Sequence, residues 1–125
     1  MPRRVLLIED EPNIIEAIRF ILAREGLQVD THADGATALD EVRHRAPEVV
    51  ILDAMLPNRS GFDILSDIRN DAELSATPVL MLTARGQQRD REMAERVGAN
   101  LFMTKPFSNA DVLTAVRSLL ARGAA

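Results

Sequence analysis

The apolar segments of this 125-residue chain end in polar side chains that could do chemistry. In chain order these side chains are Glu9, Asp10, Asp53, Thr83 and Lys105. Asp53 is the clearest case, because it directly follows Val49–Leu52, four apolar residues that predict a strand buried on both faces. A carboxylate beside such a strand costs several kcal/mol unless it is solvated, paired or bound to a metal. Asp53 therefore requires partners.

Three carboxylates, a hydroxyl and an ammonium group suit the transfer of a phosphoryl group. If Glu9, Asp10 and Asp53 lie together, their like charges favour a divalent cation between them, and an all-oxygen ligand set is typical of Mg²⁺ or Mn²⁺. The Asp53 carboxylate could then attack a phosphoryl donor to give an aspartyl phosphate. The Lys105 ammonium and the Thr83 hydroxyl would each hold one phosphoryl oxygen. This chemistry requires a fold that brings distant residues together.

Short apolar runs alternate along the chain with longer segments of helical periodicity. The predicted strands are Val5–Ile8, Gln28–His32, Val49–Leu52, Val79–Leu82 and Leu101–Thr104. The first helix is predicted over residues 12–24, and the last begins at Ser108, where Asp111 completes a capping-box pattern. This alternation predicts an α/β fold, a doubly wound five-stranded parallel sheet between two layers of helices.

The composition of the strands predicts their order. Strands one, three and four are uninterrupted apolar runs and belong in the centre, whereas strands two and five contain polar residues and belong at the edges. Right-handed crossovers then favour the order 2-1-3-4-5, the flavodoxin-like (βα)5 three-layer sandwich. In such sheets ligands bind beyond the carboxyl ends of the strands where the order reverses. That position is predicted to hold Glu9, Asp10 and Asp53.

Composition excludes several classes of function. The net charge is -4 and the basic residues are scattered among acids, so we expect no direct binding to nucleic acid. The chain has no cysteine, which excludes disulfides and thiolate metal sites. Its first apolar run has four residues, too few for a signal peptide or a membrane span, so no membrane association and a cytoplasmic location are expected. The length predicts a single domain over residues 1–125.

Four segments together resemble the response-regulator receiver domain of two-component signalling. They are IEDE (Ile8 to Glu11), ILDAMLP (Ile51 to Pro57), LTAR (Leu82 to Arg85) and TKPF (Thr104 to Phe107). The resemblance spans essentially the whole chain, and the ordered combination is highly specific although each segment alone is not. It implies a domain that is phosphorylated by a histidine kinase or a histidine phosphotransfer protein and signals to a downstream protein or an output domain. Such a domain catalyses chemistry only on itself and is not otherwise an enzyme.

The resemblance also implies roles for the residues of the site. Asp53 is the phosphorylated residue, with Thr83 and Lys105 completing the catalytic set. Mg²⁺ is ligated by Asp10, Asp53 and the backbone carbonyl of Met55, and Glu9 acts through water. Glu9 stands where an aspartate is more common, and its longer reach should preserve metal binding but alter its strength. The bond between Lys105 and Pro106 is expected to be cis.

A switch is implied by the same resemblance. Thr83 and Phe102 look like the family's switch pair, in which the hydroxyl moves toward the phosphoryl group and the aromatic ring turns inward behind it. Phe102 replaces the frequent tyrosine, so it cannot make a phenolic hydrogen bond. The fourth helix has a thin apolar stripe (Met93, Ala94 and Val97), so it is expected to be held weakly and to move.

The surface that changes is expected to comprise the fourth helix, the fifth strand and the fifth helix. A homodimer through this surface is also compatible with the resemblance. However, Asn100 and Leu101 stand where the DNA-binding subfamily with winged-helix outputs usually carries two aspartates that help its dimer form.

Each site residue also has a plain structural explanation. Acids at residues 9–11 suit the start of a helix, Asp53 and Thr83 could be turn residues, and Lys105 could be a solvated amine. Phe102 could simply be packed. His32 and His44 lack a partner at metal spacing and are expected to be solvated. The arginines of the fourth helix region (Arg85, Arg89, Arg91 and Arg96) alternate with acids and predict a solvated helix face.

Other functions are compatible with parts of the pattern. A Mg²⁺-dependent phosphohydrolase of the haloacid dehalogenase type also uses an aspartate after a buried parallel strand, but such enzymes carry a second aspartate where this chain has Met55. A receiver-like module that never takes phosphate would not need Asp10, Asp53, Thr83 and Lys105 together. A flavin-binding module would need glycine or hydroxyl residues in the first strand-to-helix turn, which is acidic here.

Overall fold

The computed structural model describes residues 3–83 and 88–123. Its strands are β1 (Arg4–Ile8), β2 (Gln28–His32), β3 (Val49–Asp53), β4 (Val79–Thr83) and β5 (Leu101–Thr104). Its helices are α1 (Pro12–Ala23), α2 (Ala38–Arg45), α3 (Gly61–Asn70), α4 (Gln88–Val97) and α5 (Asn109–Gly123), with a short 3-10 helix (Gly35–Thr37) before α2. Strand and helix alternate as predicted. Ala84 and Arg85 of the LTAR segment lie outside the described residues.

The five strands form one parallel sheet in the order β2-β1-β3-β4-β5, which confirms the predicted fold class. The central strands β3 and β4 are buried along their whole length, and β1 is buried after its first residue. The edge strands β2 and β5 are only half-buried, which agrees with their polar composition. The strand order therefore follows from how much polar character each strand carries.

Alternate residues of the central strands face two separate cores. Val5, Leu7, Val49 and Ile51 face α1 and α5, where they pack with Ile18, Leu22, Val112, Val116 and Leu119. Leu6, Ile8, Val50 and Leu52 face α2, α3 and α4, where they pack with Val42, Ile64, Leu65, Ile68 and Ala94. Because both faces are covered, these strands are continuous apolar runs rather than alternating ones.

Local sequence signals explain where two helices begin. The Ser60 hydroxyl accepts a hydrogen bond from the Asp63 amide at 3.2 Å and caps α3. The Ser108 hydroxyl accepts one from the Asp111 amide at 3.0 Å, as the capping-box pattern predicted for the last helix.

Two expectations about burial were wrong. Met93 was predicted to face the core but is 38% exposed, because only Ala94 of α4 is fully buried and Met93 points about a quarter-turn away from it. His32 was expected to be solvated. Instead, it is half-buried at the end of β2, and its Nε2 lies 2.7 Å from the Thr37 hydroxyl of the 3-10 helix.

A half-buried arginine joins the ends of three elements. The Arg69 guanidinium, at the end of α3, donates hydrogen bonds to the carbonyl oxygens of Ser75, Thr77 and Gly98 and to the Asn100 side-chain oxygen. That Asn100 oxygen also accepts a hydrogen bond from the Val79 amide at the start of β4. Asn100 stands at one of the two positions where the winged-helix subfamily usually carries aspartates, and here its side chain makes hydrogen bonds within the domain.

None of the helices in the described residues has both the length and the apolar character that a membrane span requires.

Candidate functional site

The carboxyl ends of β1 and β3 bring three acids together. Ile8 pairs with Leu52 in the sheet, so the residues that follow them, Glu9 and Asp53, are neighbours. One carboxylate oxygen from each of Glu9, Asp10 and Asp53 lies within 4.8 Å of the others. Glu9 is fully buried and Asp53 is 2% exposed, whereas Asp10 is exposed. The predicted strand order therefore places the acids at one point, with one of them open to solvent.

A glycine lets the start of α3 approach Asp53. A Cβ added at Gly61 would lie 2.1 Å from the Asp53 carbonyl oxygen and 2.8 Å from the Ala54 Cα. Backbone atoms cannot move aside cheaply at such distances, so a side chain does not fit here. The Gly61 amide donates to the Ala54 carbonyl at 2.9 Å, and the Met55 amide donates to Asp53 Oδ1 at 3.2 Å. The loop after β3 is thus held closely around the Asp53 carboxylate.

Glu9 is the most unusual acid of the site. Its Oε2 accepts hydrogen bonds from the amides of Asp10 at 3.0 Å and Glu11 at 3.1 Å. Its Oε1 is buried and has no hydrogen-bond partner among residues 3–83 and 88–123. Burial, together with the adjacent Asp53 carboxylate, raises the pKa of Glu9 from 4.5 to about 7, although the Glu11 amide and Lys105 oppose this shift. The buried charge is incompletely compensated by the protein.

Lys105, which directly follows β5, lies against this acid cluster. Its Nζ is 3.2 Å from Glu9 Oε1, 3.2 Å from Glu11 Oε1 and 3.3 Å from Asp53 Oδ2. Partial burial lowers the pKa of Lys105, but the charges of Asp53 and Glu9 and contacts with Glu11 and Glu9 outweigh it and raise this pKa above its ordinary value. The ammonium therefore stays charged. The Lys105–Pro106 peptide bond is cis.

The donor set fits a small divalent cation. All the gathered ligand atoms are carboxylate oxygens, which Mg²⁺ prefers over softer ligands. Three carboxylates face a single ammonium group, so one Lys105 charge does not balance them. The buried Glu9 Oε1 has an ion-pair contact with Lys105 but no hydrogen-bond partner among the described residues, so it is a further oxygen available to a cation. These residues can hold Mg²⁺ or Mn²⁺.

Thr83 and Phe102, the predicted switch residues, lie on neighbouring strands. Thr83 is fully buried at the end of β4, and its hydroxyl donates to the Met103 carbonyl of β5 at 3.4 Å. Phe102 is half-buried, and the Arg91 guanidinium carbon of α4 lies 4.7 Å from the centre of its ring. This is a cation–π contact. Arg91 was expected only to be solvated, and nothing in its local sequence indicated the contact, which depends on how α4 lies over β5.

Two concavities flank the acid cluster. One, of about 530 Å³, lies between α1 and the start of α5 and is lined by both Glu11 and Lys105. The other, of about 480 Å³, lies on the opposite side and is lined by Asp10 and the loop after β3, including Met55, which is 68% exposed. The cluster is therefore reachable from two sides. The participation of Glu11 was missed from the sequence, where it was treated only as an acid favourable to the helix start.

The fold and the site define a class of protein: a doubly wound parallel α/β domain with an acid cluster and a lysine where its strand order reverses. Residues 5–117 match the family model of the response regulator receiver domain. The chain belongs to this family, the receiver domains of two-component systems.

Known proteins agree with this assignment. Over 121 residues the chain is 40% identical to the probable transcriptional regulatory protein TcrX of Mycobacterium tuberculosis. The matched region covers 97% of this chain and 51% of TcrX. It is 38% identical to the response regulator Rre1 of Synechocystis over 97% of this chain and 53% of Rre1. The crystal structure of a putative response regulator from Chloroflexus aurantiacus superposes with a TM-score of 0.92 at 28% identity, over 97% of this chain and 99% of that one. The chain thus spans about half the length of the curated relatives it matches.

Proposed function

We propose that this receiver domain accepts a phosphoryl group on Asp53 from a histidine kinase or a histidine phosphotransfer protein, with Mg²⁺ in the site. The observation that carries the proposal is the meeting of Glu9, Asp10 and Asp53 within 4.8 Å, with the Lys105 ammonium 3.3 Å from Asp53. Mg²⁺ would be held by Asp10, Asp53 and the Met55 carbonyl, and by Glu9 through water. When bound, Mg²⁺ neutralises negative charge that develops on the transferred group.

The side chains of the site have separate tasks in this transfer. An Asp53 carboxylate oxygen forms a bond to phosphorus while the bond from phosphorus to the donor histidine nitrogen breaks. The Lys105 ammonium donates to one phosphoryl oxygen, and the Thr83 hydroxyl donates to another. The chemistry is confined to the chain itself, so the domain acts as a phosphorylated switch rather than as an enzyme on other substrates.

The switch is proposed to run from Thr83 to the surface. The Thr83 hydroxyl would leave the Met103 carbonyl, to which it donates at 3.4 Å, and turn toward the phosphoryl group. Phe102 would then turn inward and lose its contact with Arg91. The α4-β5-α5 surface is the one that would change, because α4 is anchored in the core by a single fully buried residue, Ala94.

The signal is proposed to pass from this surface to a downstream protein or to an output domain. TcrX, with which the chain shares 40% identity, is named a probable transcriptional regulatory protein, so control of transcription is one proposed outcome. Residues 1–125 would act as one receiver domain in the cytoplasm, with no direct nucleic-acid or membrane contact of their own. Two copies could pair through the α4-β5-α5 surface.

Intact mass spectrometry tests the phosphoacceptor chemistry. The protein is incubated with acetyl phosphate and Mg²⁺, beside the Asp53→Asn variant and beside a sample with chelator in place of Mg²⁺. We expect the native protein with Mg²⁺ to gain one phosphoryl group, and the Asp53→Asn variant and the sample with chelator to gain none. Asp67→Asn, which changes the ion pair between α3 and Arg59 outside the acid cluster, is the matched control and should be phosphorylated like the native chain.

Three results would contradict the proposal. A phosphoryl gain in the Asp53→Asn variant would place the modification elsewhere. No gain in the native protein with Mg²⁺ would favour a module that works without phosphate. Steady consumption of phosphomonoesters would favour the hydrolase alternative.

A further inference from the structure

Glu11 holds the lysine of the site from outside the acid cluster. Its Oε1 accepts a hydrogen bond from Lys105 Nζ at 3.2 Å, although Glu11 is 59% exposed. The ammonium is equally close to Glu9 Oε1, also at 3.2 Å. That buried Glu9 oxygen nevertheless has no hydrogen-bond partner in the described part of the chain. One of the three N–H groups of the ammonium is therefore directed outward to Glu11.

Neither metal binding nor helix capping accounts for this contact. The carboxylate oxygens that are gathered within 4.8 Å belong to Glu9, Asp10 and Asp53, and Glu11 is not among them. Glu11 is the N-cap residue of α1, but its side chain makes no capping hydrogen bond. Glu11 and Lys105 instead line the same concavity of about 530 Å³, beside the entrance to the site. Among residues 3–83 and 88–123, the Glu11 side chain makes its hydrogen bond to Lys105.

We propose that Glu11 is a positioning residue that restrains Lys105 and thereby slows the phosphorylation of Asp53, an inference that rests on the proposed function. In transfer from acetyl phosphate, an Asp53 oxygen bonds to phosphorus, the bond from phosphorus to the acetyl oxygen breaks, and acetate leaves with the bonding electrons. The new charge on the phosphoryl oxygens requires an N–H of Lys105. In this proposal Lys105 Nζ moves to reach that oxygen and its 3.2 Å contact with Glu11 lengthens, so the resting contact adds to the barrier.

Two substitutions at residue 11 separate the hydrogen bond from the charge. Glu11→Ala removes both, whereas Glu11→Asp keeps the charge on a side chain that is one methylene shorter and no longer reaches Lys105. Glu16→Ala, an exposed acid on the same helix, is the matched control. The rate of phosphoryl gain from acetyl phosphate is measured at several donor concentrations with saturating Mg²⁺, after thermal unfolding has confirmed that each variant is folded.

We expect both Glu11 variants to be phosphorylated faster than the native chain, by roughly two- to fivefold, the range that one exposed ion pair supplies. Glu16→Ala should keep the native rate. Unchanged or slower rates in both Glu11 variants would overturn the inference. Faster transfer in Glu11→Ala alone would also overturn it, because the charge of Glu11 would then be the cause. If the native chain gains no phosphoryl group at all, the proposed function itself has failed.

Discussion

At the scale of single residues, Glu9 carries the main electrostatic cost of the site. It is fully buried beside Asp53, and its pKa is raised from 4.5 to about 7 by burial and by that neighbour. The glutamate side chain is one methylene longer than an aspartate would be. The longer side chain reaches its contact with Lys105 at 3.2 Å while its Oε1 stays buried. The free-energy cost of burying the Glu9 carboxylate beside Asp53 therefore applies to the protein without a bound metal.

This cost predicts an unusual pH dependence. Glu9 binds its proton more tightly in the folded chain than in the unfolded chain, so without metal the free energy of unfolding should fall as the pH rises from about 4.5 through about 7. The expected loss is on the order of 1–3 kcal/mol. Urea unfolding with chelator at pH 5 and pH 7.5 measures it.

Glu9→Gln supplies the control for this experiment. The variant cannot ionise at residue 9, so its stability should depend less on pH over the same range, and it should exceed the native stability at pH 7.5. If the native chain and the variant lose stability in parallel, the origin of the pH dependence lies in other groups.

At the scale of elements, the close approach of α3 to β3 positions Asp53. Gly61→Ala should lower the free energy of unfolding by roughly 1–3 kcal/mol, because the new methyl group would meet the Asp53 carbonyl oxygen at 2.1 Å. It should also slow phosphorylation by displacing Asp53. Urea unfolding and the phosphoryl-gain assay measure the two effects.

Gly26→Ala is the comparison for Gly61→Ala. Gly26 has a φ of +80° and open space around its Cβ position, so alanine there costs about 1 kcal/mol of backbone strain. Its phosphorylation rate should remain native. An equal loss of rate in both variants would mean that lower stability, and not displacement of Asp53, is responsible.

The Arg69 hydrogen bonds predict a second effect at this scale. Arg69→Lys should lower the free energy of unfolding by about 2 kcal/mol, because an ammonium cannot reach the four acceptors that the planar guanidinium satisfies. Arg59→Lys, which changes an exposed ion pair with Asp67, should cost less than about 1 kcal/mol. Equal losses in urea unfolding would show that the Arg69 hydrogen bonds have no special weight.

The elements themselves could be predicted from the sequence, but two of the side-chain contacts between elements could not. Strand order followed from polar residues in β2 and β5, and it brought Glu9, Asp10 and Asp53 to one edge. The hydrogen bond from Lys105 to Glu11 and the stacking of Arg91 on Phe102 were missed. Both join residues from different elements through long, flexible side chains, whose positions depend on tertiary packing and leave no periodic signal.

At the scale of the whole molecule, cation binding should be linked to stability. A cation that binds only the folded chain raises the free energy of unfolding by about 2.7 kcal/mol at one hundred times its dissociation constant. Thermal unfolding of the native chain should therefore shift upward as Mg²⁺ is added at pH 7.5.

Asp10→Asn is the matched variant for this shift. Asp10 is exposed, so the substitution removes a proposed ligand without opening a cavity in the core. The Mg²⁺-dependent shift should be greatly reduced in this variant. A shift of native size in Asp10→Asn would place the stabilising cation somewhere other than the acid cluster.

The parallel sheet also determines when during folding the site can exist. All the strand pairs described in residues 3–83 and 88–123 are parallel, so none of them is a local hairpin. Val5 pairs with Val49 only after the chain has closed a loop that contains α1, β2 and α2. Such long-range pairing forms slowly. The moment at which a refolding chain begins to bind the cation would therefore report when β3 pairs with β1. A chain that is still being synthesised on the ribosome can bind the cation only after Asp53 has been made and β3 has paired with β1.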